Sequence, residues 1–516
     1  MNYVDECFEV VKADIELNKA SLGRTTEKYV YVIIEAIKDS EEKAEVAGRF
    51  EKIAEISAPK VSVFLYTAAL YLDLNEKRLR KMLNCTFENR DIIGTDDVYA
   101  IYQQAAHLTF SNPMLDSNEV LMLENQMYSW SLGNYIDKYD DIVTIPPDTR
   151  NKNLVFVIAQ QVISFQHGPT KSALDRCKIL MDIGYEVVLI NTAELLPRVF
   201  DTDFVGEVYC SYVEEYLNKE YIEWKGEKIP FFQCEQDMPN YLTIRQLIDV
   251  VKEQKPFFAV SIASGTIFEG ILSKLIPVLG IPMTQSELAI SGASYQANSV
   301  QKNDKYYKSL NVLNLNENHI IDVLFGFSLL EQKEKHYRKE YGIDSNSFVI
   351  VTAGGRLQIE LDEAFWNMFR KIVKEIPNVK LLIIGNYDVY EELSDISQYI
   401  ILVGFVDDTL SYFEICDLYI NPHRKGGGTS CVEAMYKGLP VVTDDYGDVA
   451  TNAGEVFVVG SDYSNFPSVV LKYYEDKEFY KKQQQLAISR ANKLLNAEGE
   501  FVKAIDEFKR RFLSVK

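Results

Sequence analysis

Asn421-Pro422-His423-Arg424-Lys425-Gly426-Gly427-Gly428-Thr429-Ser430-Cys431-Val432-Glu433-Ala434-Met435-Tyr436-Lys437-Gly438-Leu439-Pro440-Val441-Val442 reads as a strand end, a glycine-rich loop, a helix and a second strand. Three successive glycines let a backbone approach a ligand closely. Thr429 and Ser430 are of the types that cap a helix whose first N–H groups point at an anion. The pattern predicts a diphosphate cradle made by Gly426, Gly427, Gly428, Thr429 and Ser430. Glu433 follows Thr429 by four residues, about one helical turn, where its carboxylate can accept both hydroxyls of a ribose. Gly438-Leu439-Pro440 then closes the helix.

The same alternation extends outward in both directions. Phe348 to Ala353, Val379 to Ile384, Ile400 to Val403, Leu418 to Ile420 and Val441 to Thr443 are short apolar runs expected to be strands. Between the first two, Phe365, Met368, Phe369, Ile372 and Val373 have helical spacing. Further upstream, Leu154 to Ala159 reads as a buried parallel strand. It leads through Gln166-His167-Gly168-Pro169-Thr170 into a helix carrying Ala173, Leu174, Cys177, Leu180 and Met181, then into the run Val187 to Ile190. Phe257 to Ile262 repeats the theme and ends in Ala263-Ser264-Gly265-Thr266. Two Rossmann-like units in tandem follow from this, with a ligand in the cleft between them. The first part is helical instead, with Val30, Ile33, Ile34 and Ile37 on one stripe and Leu65, Ala68, Ala69 and Leu72 on another. Pro146-Pro147-Asp148 punctuates the chain, and the charged stretch Leu329 to Gly342 reads as a junction. The expected units are 1–148, helical, for acceptor recognition or oligomerisation; 149–335, acceptor-side; and 336–516, donor-binding.

A chain of 516 residues exceeds one hydrophobic core. Its net charge of −22 disfavours general binding to nucleic acid or to an anionic membrane surface. Met1 to Val11 carries Asp5, Glu6 and Glu9 and does not read as a secretory signal, and no run is long and apolar enough to span a membrane. Seven cysteines, Cys210 among them, never stand at C-x-x-C spacing, and five scattered histidines make no metal pair. A cytoplasmic protein with reduced thiols is expected, with no metal and no cofactor, and a homo-oligomer is left open.

In the order and spacing of Asn421 to Val442 the chain resembles the GT-B glycosyltransferases, in particular the group 1, family 4-like transferases, over about its last third. The resemblance implies that Glu433 binds the donor ribose and that Gly427, Gly428 and Thr429 bind sugar and phosphate. Thr352-Ala353-Gly354-Gly355-Arg356-Leu357 looks like the family's Gly-Arg-Leu, whose arginine contacts the diphosphate through a fork that matches phosphate oxygens. Gly355 and Arg356 are therefore donor-site candidates. The lysine that usually follows is absent, since Gln358, Ile359, Glu360 and Leu361 stand there. Val403-Gly404-Phe405-Val406 fits the loop that reads the base, which adds Gly404 and Phe405. Retaining members carry a second glutamate eight positions before the ribose glutamate; here that position is Lys425, leaving retention or inversion open. Lys425 is either a catalytic contact to donor phosphate or sugar, or a loop cation beside Arg424. His167, after the first strand of the middle unit, is a candidate general base. His423 either orients the glycine loop or touches the sugar, and Ser264, Gly265 and Thr266 are candidate acceptor contacts. The function implied is transfer of a sugar, from a UDP-sugar by expectation, to a protein or glycan acceptor. A non-catalytic GT-B subunit and a nucleotide-sugar epimerase are the alternatives.

Overall fold

The structure, a computed structural model, describes residues 3–18, 22–165, 167–194, 212–235, 238–388 and 391–514. Cys210 and Gln166 lie outside these. The first 136 residues form eight α-helices among the described residues, from α1 (Tyr3–Asn18), α2 (Arg24–Ile37), α3 (Lys43–Ala54) and α4 (Pro59–Leu72) to α5 (Glu76–Glu88), α6 (Arg90–Ile93), α7 (Thr95–Ser111) and α8 (Asn118–Ile136). Both predicted stripes face inward: Val30, Ile33, Ile34 and Ile37 are buried in α2, and Leu65, Ala68, Ala69 and Leu72 in α4.

The middle unit contains β1 (Asn151–Ala159), α9 (Gly168–Asp182), β2 (Glu186–Asn191), β3 (Tyr221–Trp224), β4 (Glu227–Gln233), α10 (Tyr241–Gln254), β5 (Pro256–Ile262), α11 (Ile267–Leu275), β6 (Val278–Ile281), β7 (Tyr295–Asn298), α12 (Asp304–Val312) and β8 (Ile320–Asp322). Its sheet has the order β3-β4-β2-β1-β5-β6-β7-β8. Every pair is parallel except β3 with β4. Parallel strands are covered on both faces, which is why β5 is apolar apart from Ser261, with every residue buried. One face is covered by the helical region: Phe8, Phe64 and Tyr99 share a single core with Phe156, Ile158 and Phe268. The helices before residue 148 are thus joined to the middle unit by packing.

The donor-side sheet is smaller. It comprises β9 (Phe348–Ala353), β10 (Val379–Ile384), β11 (Ile400–Gly404), β12 (Leu418–Ile420) and β13 (Val441–Val442), ordered β11-β10-β9-β12-β13 and parallel throughout. Its helices are α13 (Leu357–Glu360), α14 (Glu363–Glu375), α15 (Thr409–Phe413), α16 (Gly428–Tyr436), α17 (Gly447–Ala453), α18 (Phe466–Glu475) and α19 (Lys477–Leu494). Strand order reverses beside β9, so the carboxyl ends of β9 and β12 form a topological switch point, where ligands of such sheets bind. The segments Gly354-Gly355-Arg356 and Asn421 to Gly428 leave the sheet there.

One expected boundary needs correction. The last helix, α20 (Ala497–Ser514), does not stay with the donor unit assigned to 336–516. It crosses back and covers the second face of the middle sheet, with Phe508 edge-on to Phe258 at 5.5 Å and Arg511 donating to the Ile320 carbonyl at 2.8 Å. Its apolar stripe of Phe501, Ala504, Ile505 and Phe508 is legible, but a stripe does not say which sheet it will cover. The two crossing segments are tied where Phe327 N–H donates to the Leu494 carbonyl at 2.8 Å, and Gly326 lies so close to Ala497 that no side chain would fit.

Candidate active site

The glycine loop is held from beneath by Arg424. Only 3% exposed, Arg424 donates to Asn421 Oδ1 and Glu360 Oε2 at 2.8 Å, to the Tyr419 hydroxyl at 2.8 Å and to the Ala353 carbonyl at 3.0 Å. A buried guanidinium is tolerated only with such pairing. The brace joins the segment after β12 to the segment after β9. Gly427 has φ +92°, and a Cβ there would lie 2.6 Å from the Arg424 guanidinium, so packing and conformation both require glycine. At Gly426 the nearest atom to such a Cβ is Arg356 Nη2, at 3.2 Å, which sets the candidate phosphate arginine beside the loop.

The helix start differs from the expectation. Gly427 is the N-cap of α16, and no side chain caps it. Thr429 and Ser430 fall inside the first turn, where Ser430 Oγ donates to the Gly427 carbonyl at 3.0 Å and is 2.9 Å from the Tyr419 hydroxyl. The left-handed glycine starts the helix early, so its first N–H groups carry no side-chain acceptor, a geometry suited to an anion.

Arg356 pairs with Glu360 Oε1 at 3.1 Å and lies over the Phe110 ring at 4.6 Å, with its Nε making no hydrogen bond. Gly355 has open space on its side-chain side. Phe405 lines the cleft and is 64% exposed, an open ring for a base. Gly404 is not among the lining residues; at φ +82° its carbonyl accepts from Gly385 N–H, which turns the chain so that Phe405 reaches the cleft. Glu433 Oε2 accepts from the Thr409 hydroxyl at 2.8 Å, and its Oε1 lies 3.7 Å from Lys171 Nζ.

The facing wall comes from the middle unit. His167 is the N-cap of α9, with Nδ1 3.0 Å from Thr170 Oγ1. Burial, then Lys171 and Arg356, lower its pKa to about 4, so the ring is neutral near pH 7. The neighbouring Gly168 faces the glycine loop directly: a Cβ there would stand 3.5 Å from Thr429 Oγ1. Of Ser264, Gly265 and Thr266, only Ser264 lines the cleft. The Gly265 carbonyl is taken by Tyr99 and Gln103 of α7, and the Thr266 carbonyl by Tyr128 of α8. His423 is also outside it, hydrogen-bonded to Asp444 and stacked on Tyr446.

A third wall was not read from the sequence. Gln103, His107 and Phe110 of α7, Glu124 of α8 and Asp116 between them line the same cleft, whose volume is about 530 Å³. Burial and then Arg356 lower the His107 pKa to about 4, whereas burial raises Glu124 to about 8. The available signal was the polar pair Gln103 and His107, four residues apart and so on one face of α7. Lys425 ties all three walls together. Its ammonium, 6% exposed, lies 2.7 Å from Glu287 and 3.4 Å from Asp116. Burial alone would lower its pKa, but the carboxylates of Glu287 and Asp116 hold it raised. Nearby, Asp448 accepts the N–H groups of Gln285 and Ser286 at 2.8 and 3.1 Å.

Two nucleotide-binding-type sheets facing one cleft, with a glycine loop, arginine and glutamate at the switch point of the second, define the GT-B glycosyltransferase fold. Residues 348–476 match the family model of the group 1 glycosyl transferases. The poly(glycerol-phosphate) alpha-glucosyltransferase of Bacillus subtilis (strain 168) is 28% identical over 137 residues, which are 24% of this chain and 20% of that protein. The chain thus spans about a fifth of that relative's length. A mutant of the Thermobaculum terrenum O-GlcNAc transferase superposes with a TM-score of 0.55 at 12% identity, covering 99% of this chain and 98% of the other. A glycosyltransferase from Rickettsia africae superposes with a TM-score of 0.52 at 13% identity, covering 71% of this chain and all of the other. At such identities the superpositions establish the fold.

Proposed function

We propose that this protein is a glycosyltransferase that moves a hexose from a nucleoside diphosphate sugar, a UDP-sugar in the first instance, to a protein or glycan acceptor. The observation that carries the reading is the convergence of Arg356, the Gly426–Gly428 loop, Phe405 and Glu433 on one wall of a single cleft. Phe405 stacks the base, Glu433 takes the ribose hydroxyls, and Arg356 with the uncapped first turn of α16 takes the diphosphate. In the transfer, the bond from the anomeric carbon to diphosphate oxygen breaks and the diphosphate leaves with the electron pair. The acceptor oxygen or nitrogen bonds to that carbon and its proton passes to a base. Charge building on the leaving group is what Arg356 and the helix N–H groups stabilise.

His167 is assigned as that base after the donor has bound. Burial first, then Lys171 and Arg356, hold its pKa at about 4, too weak a base in the empty cleft; bound diphosphate offsets the two cations and raises it from there. Lys425 is assigned to holding the three walls in register, through Glu287 and Asp116. The acceptor is assigned to the α7 and α8 wall. Glucosyl and GlcNAc transfer, named for the Bacillus and Thermobaculum proteins, both agree with a hexose donor. The scheme calls on no metal. A cytoplasmic location accords with free Cys7, Cys85, Cys177, Cys234, Cys416 and Cys431 and, among the described residues, no helix long and apolar enough to cross a membrane.

The test is a panel of nucleotide-sugars, read by thermal shift and by release of free nucleoside diphosphate. One donor that both stabilises the protein and is slowly hydrolysed is the expected result. Binding without release, with acceptors present, would support a non-catalytic subunit; no binding at all would overturn the donor site.

A further inference from the structure

The segment after β9 brings one cation to the donor site, Arg356, and none of the next five residues, Leu357 to Leu361, is basic. A diphosphate carries more charge than one guanidinium neutralises. Across the cleft, Lys171 sits in the first turn of α9 with its side chain 9% exposed. Its ammonium is 3.7 Å from Glu433 Oε1, an ion pair longer than a hydrogen bond, while the other Glu433 oxygen is engaged by Thr409 at 2.8 Å. Two further observations place Lys171 within reach of the cradle. The backbone three residues before it, at Gly168, abuts Thr429 of the glycine loop. His167, Lys171 and Arg356 also line the same cleft, where the charges of both cations act on the His167 imidazole.

We propose that Lys171 is the second cation for the nucleoside diphosphate, supplied across the cleft by the acceptor-side unit, and that Glu433 holds it while the site is empty. This rests on the reading of Gly426 to Glu433 as the donor site. When ribose hydroxyls engage Glu433, the ammonium on its flexible four-carbon stem turns to the phosphate oxygens. One ligand then takes both ends of a link that joined the two units, so filling the donor site and fixing the cleft become one event. The lysine missing after Arg356 is replaced in space from a different sheet.

Calorimetric titration of wild type, K171M and K171R separates this role from that of a mere tie between units. UDP, GDP and ADP are first titrated into wild type, and the one that binds is compared with its own monophosphate. K171M is expected to weaken the diphosphate about tenfold or more, the size of a lost charged hydrogen bond, and the monophosphate by less than about threefold. K171R is expected to retain most of the affinity. If K171M fails to fold, K171Q removes the charge while keeping a polar chain of similar length. Diphosphate affinity unchanged in the neutral variant, or equal losses for both nucleotides, would overturn the proposal and leave the donor site standing. If wild type binds none of the three diphosphates, the donor site falls and this assignment with it.

Discussion

Replacing Arg424 by methionine tests whether the glycine loop is held open by the buried brace beneath it. The substitution keeps much of the aliphatic length and removes all four hydrogen bonds, to Asn421, Glu360, Tyr419 and Ala353. Glu360 would keep only Arg356, at 3.1 Å, with its own side chain 4% exposed. Removing one partner of a buried pair costs about 3–5 kcal/mol, because the remaining charge stays desolvated. Each kcal/mol lowers the melting temperature of a domain this size by roughly 2–4 °C, which puts the fall at about 6–20 °C. The donor-side unit should melt first in a calorimetric scan, and nucleotide binding should be lost below that transition as the loop rearranges. Arg424→Lys should recover only part of the loss, since a single ammonium cannot reproduce the fork. An Arg424→Met protein that melts within about 2 °C of wild type and still binds nucleotide would refute the brace.

Glu433→Ala should weaken binding of the nucleoside diphosphate by about tenfold to a hundredfold, measured by calorimetry, because two hydroxyl-to-carboxylate bonds are lost; unchanged affinity would remove the ribose assignment. His167→Ala should lower turnover far more than donor affinity. In wild type, the acidic limb of kcat, where the base becomes protonated, should lie at a higher pKa than the acidic limb of kcat/KM, which reports the free protein, and identical limbs would remove His167 as the base. Stability should depend on pH in two opposite ways. His167 and His107, held at about 4 against a usual 6.5, cost stability as pH falls below about 6.5. Glu124, held at about 8, contributes stability at low pH that is lost as pH rises toward 8. Glu124→Gln should flatten the decline in melting temperature between about pH 6.5 and 8; an unaltered slope would contradict a neutral Glu124 in the cleft.

The proximity of the proposed donor-site residues was legible because they are local in sequence and sheet order. Asn421 to Glu433 lie on one strand–loop–helix segment, and Arg356 leaves the adjacent strand, so order and spacing alone bring them near each other. Capping was misread at Thr429 and Ser430 because residue type was visible and the left-handed turn at Gly427 was not. Lys425 and Arg424, adjacent in sequence and alike in charge, separate only in space: one braces the loop internally, the other joins Glu287 and Asp116 on different units. The α7 and α8 wall left only the faint signal of Gln103 and His107 on one helix face, for the same reason. Gln103, His107 and Glu124 acquire meaning only when those helices pack on the middle sheet and bring their polar side to the cleft.

The return of α20 to the middle sheet has a practical consequence for measuring motion. Since α20 and the N-terminal helices both pack on that one sheet, a pair of fluorophores placed on them would keep a constant separation however the donor unit swings. One fluorophore on α18 and the other on α2 would instead straddle the junction between the units and report any such swing. The close contact of Gly326 with Ala497, where the chain passes between units in both directions, is where any such swing would have to turn.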